Sequence, residues 1–133
     1  MNAVRYCSKT GNTKKMAEMI AKQLGVTAEP VDTPLTYPIQ KLFLGGAIHM
    51  ASLDKELKHF AENLDSEKIR EVVIFGTSGG VLSIKKGLVR ILNDQKMTIS
   101  KHNLFLHGLV PAKANISEKQ KTEISEFVHA VIR

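Results

Sequence analysis

The sequence predicts an α/β fold, a parallel sheet with helices on both faces, and three observations predict it. Short apolar runs alternate with amphipathic stretches, polar or glycine-rich segments follow three of those runs, and no repeat or low-complexity linker interrupts the order. Strands apolar on both faces belong between two helical layers rather than in an antiparallel sheet with one wet face. A chain of 133 residues suits one domain, 1–133, with a core of useful size.

Ala3 to Cys7 reads as the first strand. From about Thr13 to Leu24, Met16, Ala17, Ile20 and Leu24 recur at helical spacing, and Gly25 ends the helix. Val26 to Val31 is expected as an edge strand, because Pro30 has no N–H to donate to a neighbouring strand. Asp32 to Pro38, with Pro34 and Pro38, should be loop. Lys41 to Gly46 predicts a buried strand whose paired glycines feed a tight turn. Ser52 is expected to cap a helix with Leu53, Leu57, Phe60, Ala61 and Leu64 on one stripe.

Glu71 to Gly76 is the clearest buried strand, followed by a small-residue loop, Thr77-Ser78-Gly79-Gly80. A helix is expected over about Ile84 to Leu92, a last strand over Leu104 to His107, and a loop over Gly108 to Asn115. Ser117 with Gln120 offers a capping box for a terminal helix carrying Ile124, Phe127, Val128 and Val131. Ligands of such sheets bind at the carboxyl ends of the strands. The segments after Cys7, Gly45 and Gly76 all belong to that end. Arg5 falls in the middle of the first strand, where it must snorkel, pair with an acid, or signal a different strand order.

Composition narrows the function classes. An apolar fraction of 43% with 24% charged residues argues against disorder. No apolar stretch approaches the roughly 20 residues that span a bilayer, so no membrane insertion is expected. With a strand predicted almost at Met1, no signal peptide fits before Ser8, and one cysteine suits a reducing cytoplasm. The net charge of +6 calls for an anionic partner. Specific nucleic-acid binding lacks its usual supports, because there is no long basic run, zinc-ligand spacing or tryptophan.

Ser8-Lys9-Thr10-Gly11-Asn12-Thr13 carries the most chemistry. Three hydroxyls, an amide and a glycine crowd into one turn ahead of a helix N-terminus, with no acid among them. Rotatable hydroxyls and unpaired backbone N–H groups suit an anion, above all a phosphate monoester. A polar helix cap that binds nothing uses the same residue types, and that alternative stays open.

Tyr6 to Thr13, continuing through Met16-Ala17-Glu18-Met19-Ile20-Ala21, resembles the flavodoxin family, whose first turn has the pattern S/T-x-T-G-N/x-T. The resemblance implies a flavodoxin-like three-layer sandwich with a five-stranded parallel sheet of order 2-1-3-4-5. It implies FMN as cofactor, its phosphate held by Ser8, Thr10, Asn12 and Thr13 with main-chain donors around Lys9 and Gly11. The loops after the third and fourth strands would cover the flavin ring: Gly46, Ala47, Ile48, His49 and Met50 on one side, and Thr77, Ser78, Gly79 and Gly80 on the other. Gly46 and Ala47 would also suit the mobile ring-loop peptide of the family. His107, ending the last strand, could contact the flavin or meet only backbone and solvent.

Two departures from the family pattern stand out. Neither ring loop contains tryptophan or tyrosine, so His49 and Met50 are the best ring contacts in the first. The charge is positive, with Lys9, Lys14, Lys85, Lys86 and Arg90 in or soon after the expected binding segments, whereas family members that act as low-potential shuttles are usually acidic. The resulting expectation is a cytoplasmic electron carrier, monomeric or weakly dimeric, between redox proteins with acidic docking faces. A small flavin-dependent quinone reductase or protoporphyrinogen-oxidase type enzyme, and an accessory module with weak or lost FMN binding, are the alternatives. Cys7 is either a small buried hydrophobe or a reactive thiol beside the turn. His59, His102 and His129 read as surface, and no histidine pair has metal-site spacing.

Overall fold

The computed structural model describes residues 1–8, 11–49, 52–78, 84–107 and 116–132, without the side chains of Ile48, His49, Ser52, Ser78 and His107. In chain order the elements are β1 (Asn2–Tyr6), α1 (Asn12–Leu24), β2 (Ala28–Pro30), β3 (Ile39–His49), β4 (Ser52–Leu53), α2 (Lys55–Glu62), β5 (Ile69–Ser78), α3 (Lys85–Asp94), β6 (Ile99–His107) and α4 (Glu118–Ile132). Five strands pair in parallel in the order β2-β1-β3-β5-β6, and β4 adds a short antiparallel partner to β3. Leaving β4 aside, this is the expected 2-1-3-4-5 sheet with four helices.

Period-two alternation divides the core between the two faces. Val4, Tyr6, Phe43, Val73 and Phe75 pack with Met16, Ile20, Ile124, Phe127 and Val128 under α1 and α4. Phe43 and Phe127 meet edge to face there, ring centroids 6.0 Å apart. On the opposite face Leu42, Leu44, Val72 and Ile74 pack with Leu57, Ala61, Leu88 and Leu92 of α2 and α3. Gly25 closes α1 as expected, in the left-handed conformation at φ 73°, its N–H reaching the carbonyls of Ala21 and Lys22.

Several boundaries differ from the sequence reading. β3 does not end at paired glycines; it continues through Gly46, Ala47 and Ile48 to His49 and pairs with β4. The glycines serve close packing instead of a turn. The Phe75 ring lies where a side chain at Gly45 would go, and the carbonyl of Gly46 lies where one at Gly76 would go. Likewise β5 runs on through Thr77 and Ser78, which were expected in a loop. Ser52 sits in β4, and Asp54 caps α2, accepting from the Glu56 N–H at 2.9 Å. β2 is shorter than 26–31 but is an edge strand, where Pro30 is tolerated.

β6 begins five residues before the expected Leu104. Its register against β5 slips between Val72↔Ile99 and Ile74↔Asn103, an irregularity that interrupts the apolar alternation. Ser100 accepts a hydrogen bond from the His102 N–H there, at 3.1 Å.

Arg5 follows none of the three expected routes. Parallel strands of one sheet are usually joined through a helix, yet residues 31–38 cross from β2 over β1 to β3 with none. Arg5 lies at 8% exposure and donates to this strap, Nε to Thr33 O at 3.1 Å and Nη2 to Pro34 O at 2.8 Å, with Nη1 on Val4 O at 3.0 Å. Burial lowers the guanidinium pKa from its usual value, and the Glu29 carboxylate opposes that shift. A strap covers less of the sheet than a helix does. A groove of 790 Å³ remains between it and α2, lined in part by Leu35, Tyr37, Phe60 and Leu64.

Replacing Arg5 by methionine keeps bulk but strands these carbonyls, and is expected to cost about 2–3 kcal/mol of stability. A lower urea midpoint at unchanged slope is the readout, and wild-type stability would refute the strap's dependence on Arg5. Gly76→Ala drives a methyl group against the Gly46 carbonyl and is expected to cost about 1–3 kcal/mol. The same titration measures it.

Candidate functional site

The parallel register builds a rim at the carboxyl ends of the strands. Tyr6 pairs with Gly45, which pairs with Phe75; Gly46 pairs with Gly76, Ala47 with Thr77, and Ser78 with His107. The ladder carries one step past β1, where the Cys7 N–H donates to the Gly45 carbonyl at 3.0 Å. Chain segments remote in sequence therefore end at one level, around the turn that leaves β1.

That turn is shaped by Gly11, whose φ of 93° an L side chain adopts only with strain. The Gly11 N–H donates to Ser8 Oγ at 3.1 Å, folding the turn back on itself. Because Ser8 acts as the acceptor there, its own hydroxyl proton remains for a second partner. Gly11 is the N-cap of α1, and among the described residues no side chain caps the helix. The opposite arrangement holds at α4, where Ser117 Oγ accepts from the Gln120 N–H at 3.1 Å. The first turn of α1 also carries no acid, while Lys14 and Lys15 are exposed. Outward N–H groups at the positive end of a helix dipole suit an anion.

Asn12 and Thr13 are buried. Thr13 is 1% exposed, and its hydroxyl lies 2.7 Å from that of Thr77, itself 4% exposed. Sequence reading singled out both threonines but missed that they touch. The signal was available in the alternation: Val73 and Phe75 face α1, so Thr77 must too. Ile48, His49, Ser78 and His107 are placed by their backbones alone, the first two in β3 and the others ending β5 and β6. Lys9, Thr10, Met50, Gly79 and Gly80 lie outside the described residues.

Cys7 is buried in the core beneath α2 and α3, as a small hydrophobe would be. Its sulfur and the carboxylates of Asp54 and Glu56 lie within 4.8 Å of one another. Three such groups fall short of the four-ligand set of a structural zinc site, and negative neighbours do not favour a thiolate nucleophile. His59 and His129 are exposed, and His102 is half-buried.

No helix among the described residues is long and apolar enough to cross a membrane. No curated relative matches the chain by sequence. Among solved structures, oxidised Flavodoxin 2 from Bacillus cereus superposes with a TM-score of 0.74 at 18% identity, over 98% of this chain and 97% of that one. A flavodoxin from the domain Archaea gives 0.71 at 17% identity, over 98% and 96%. The Flv1 flavodiiron core from Synechocystis sp. PCC6803 gives 0.70 at 15% identity, over 98% of this chain but 36% of that larger one. At these identities the likeness is one of fold. The family model described as a flavodoxin domain matches residues 3–122. The chain belongs to the flavodoxin family.

Proposed function

We propose that this protein binds FMN by its phosphate at the turn 8–13 and carries electrons between redox protein partners. The observation that carries the reading is the start of α1, which has no capping side chain among the described residues and no acid in its first turn. A phosphate supplies the acceptors that those N–H groups need, with the Ser8 hydroxyl beside them. Main-chain atoms of Gly46, Ala47 and Thr77 lie at the level of the turn and would flank the ring. The flavin supplies the redox chemistry when bound, and the polypeptide supplies binding, orientation and electrostatics.

Positive charge on this chain should act on the potential. Lys85, Lys86 and Arg90 are exposed on α3, whose first turn also has no acid. Cations near the ring favour the negatively charged reduced cofactor, so the second reduction step should be less negative than in an acidic flavodoxin. The same charge favours a partner with an acidic docking face.

The first test is a titration of purified protein with FMN, followed by the flavin's visible absorption and by calorimetry. Saturable binding is expected, and no heat or spectral change would overturn the reading in favour of a flavin-free accessory module. A carrier should accept electrons from a protein reductase without oxidising NAD(P)H or reduced quinone unaided, and such turnover would move the assignment to an enzyme. In a redox titration of the holoprotein, the Lys85→Glu/Lys86→Glu double variant should make the second potential more negative. An unchanged value would show that α3 does not tune it.

A further inference from the structure

We infer that Thr77 is a positioning residue for phosphate binding: its hydroxyl acts on Thr13 and, through Thr13, on the ligand, without touching the flavin. The inference rests on the FMN reading above and assigns a separate role within it. Thr13 is in the first turn of α1 and Thr77 is near the end of β5, 64 residues apart, yet their Oγ1 atoms are 2.7 Å from each other and sealed from solvent. Among the described residues each hydroxyl has the other as its partner.

A hydroxyl has one proton to donate and lone pairs to accept with, so in this pair one oxygen donates and the other accepts. Either direction fits the geometry. A phosphate can only accept, and that breaks the symmetry. If Thr13 is to donate to phosphate, its proton must leave Thr77, and the buried contact survives only when Thr77 donates to Thr13. The resulting chain runs from the Thr77 O–H to Thr13 Oγ1, and from the Thr13 O–H to a phosphate oxygen. Each bond polarises the next in surroundings of low dielectric.

Without the Thr77 hydroxyl, nothing holds the Thr13 hydroxyl with its proton aimed at the ligand, and the bond from Thr13 to phosphate loses the polarisation that a donating partner gives it. The arrangement also links two parts of the rim. Occupancy at the first turn sets the hydroxyl direction at Thr77, the first residue of the expected ring segment Thr77-Ser78-Gly79-Gly80.

Calorimetry with FMN and with riboflavin, which keeps the ring and ribityl chain but lacks the phosphate, separates this role from a structural one. Thr77→Val should weaken FMN about five- to tenfold and leave riboflavin unchanged. Thr77→Ser should restore FMN affinity. In a Thr13→Val background, Thr77→Val should cause no further loss, because its path to the ligand is already cut. If Thr77→Val does not fold, Thr77→Ala is carried through the same measurements. Full FMN affinity in the hydroxyl-free variant overturns the inference, as does an equal loss for FMN and riboflavin. Absence of FMN binding by the wild-type protein overturns the FMN reading and this inference together, a distinct result from the other two.

Discussion

The parallel ladder through β1, β3 and β5 is the constraint on which the rest of this structure depends. Its register carries Cys7, Gly46 and Gly76 to one level, so that three chain segments end on a common rim. Glycine is required there for close packing: the Phe75 ring occupies the space over Gly45, and the Gly46 carbonyl occupies the space over Gly76. A side chain at either position would push strands apart or displace the ring. The turn after β1, the extension of β3 to His49 and the last residues of β5 all depend on that spacing.

Buried polar groups are few among the described residues, and Arg5 and the Thr13–Thr77 pair each tie separate parts of the fold together. Arg5 stands on the face where a crossover helix would ordinarily supply cover, and gives its donors to the strap that crosses instead. Thr13 and Thr77 join α1 to β5 on the other face. Both devices satisfy polar atoms whose burial would otherwise be costly. They differ in freedom. Arg5 can only donate, whereas the threonine pair can reverse its direction without moving a heavy atom, which makes it responsive to a ligand.

Much of the architecture was legible along the chain. Helices were read from their apolar stripes, and the buried strands around Phe43 and Ile74 from runs too apolar for a half-wet sheet. The family was legible in the segment from Tyr6 to Ala21, where residue type and spacing are both constrained by a turn entering a helix. Strand ends were read less well. Thr77 and Ser78 look like loop residues, and Ile99 to Asn103 contains no apolar run, yet both segments are held in strands by neighbours that local composition does not reveal. Ser52 was expected to cap the second helix, and Asp54 takes that place. The pairing of Ser52 with His49 removed it from the helix.

The sequence by itself determined the layer order, the two apolar faces and the chemistry of the turn after β1, because those follow from short-range periodicity and residue type. Tertiary structure alone decided where the Arg5 guanidinium goes, that Gly45 and Gly46 pack instead of turning, and that Thr13 meets Thr77. Each of these is a contact between segments remote along the chain, and its partner is chosen by strand register and by the space left between layers.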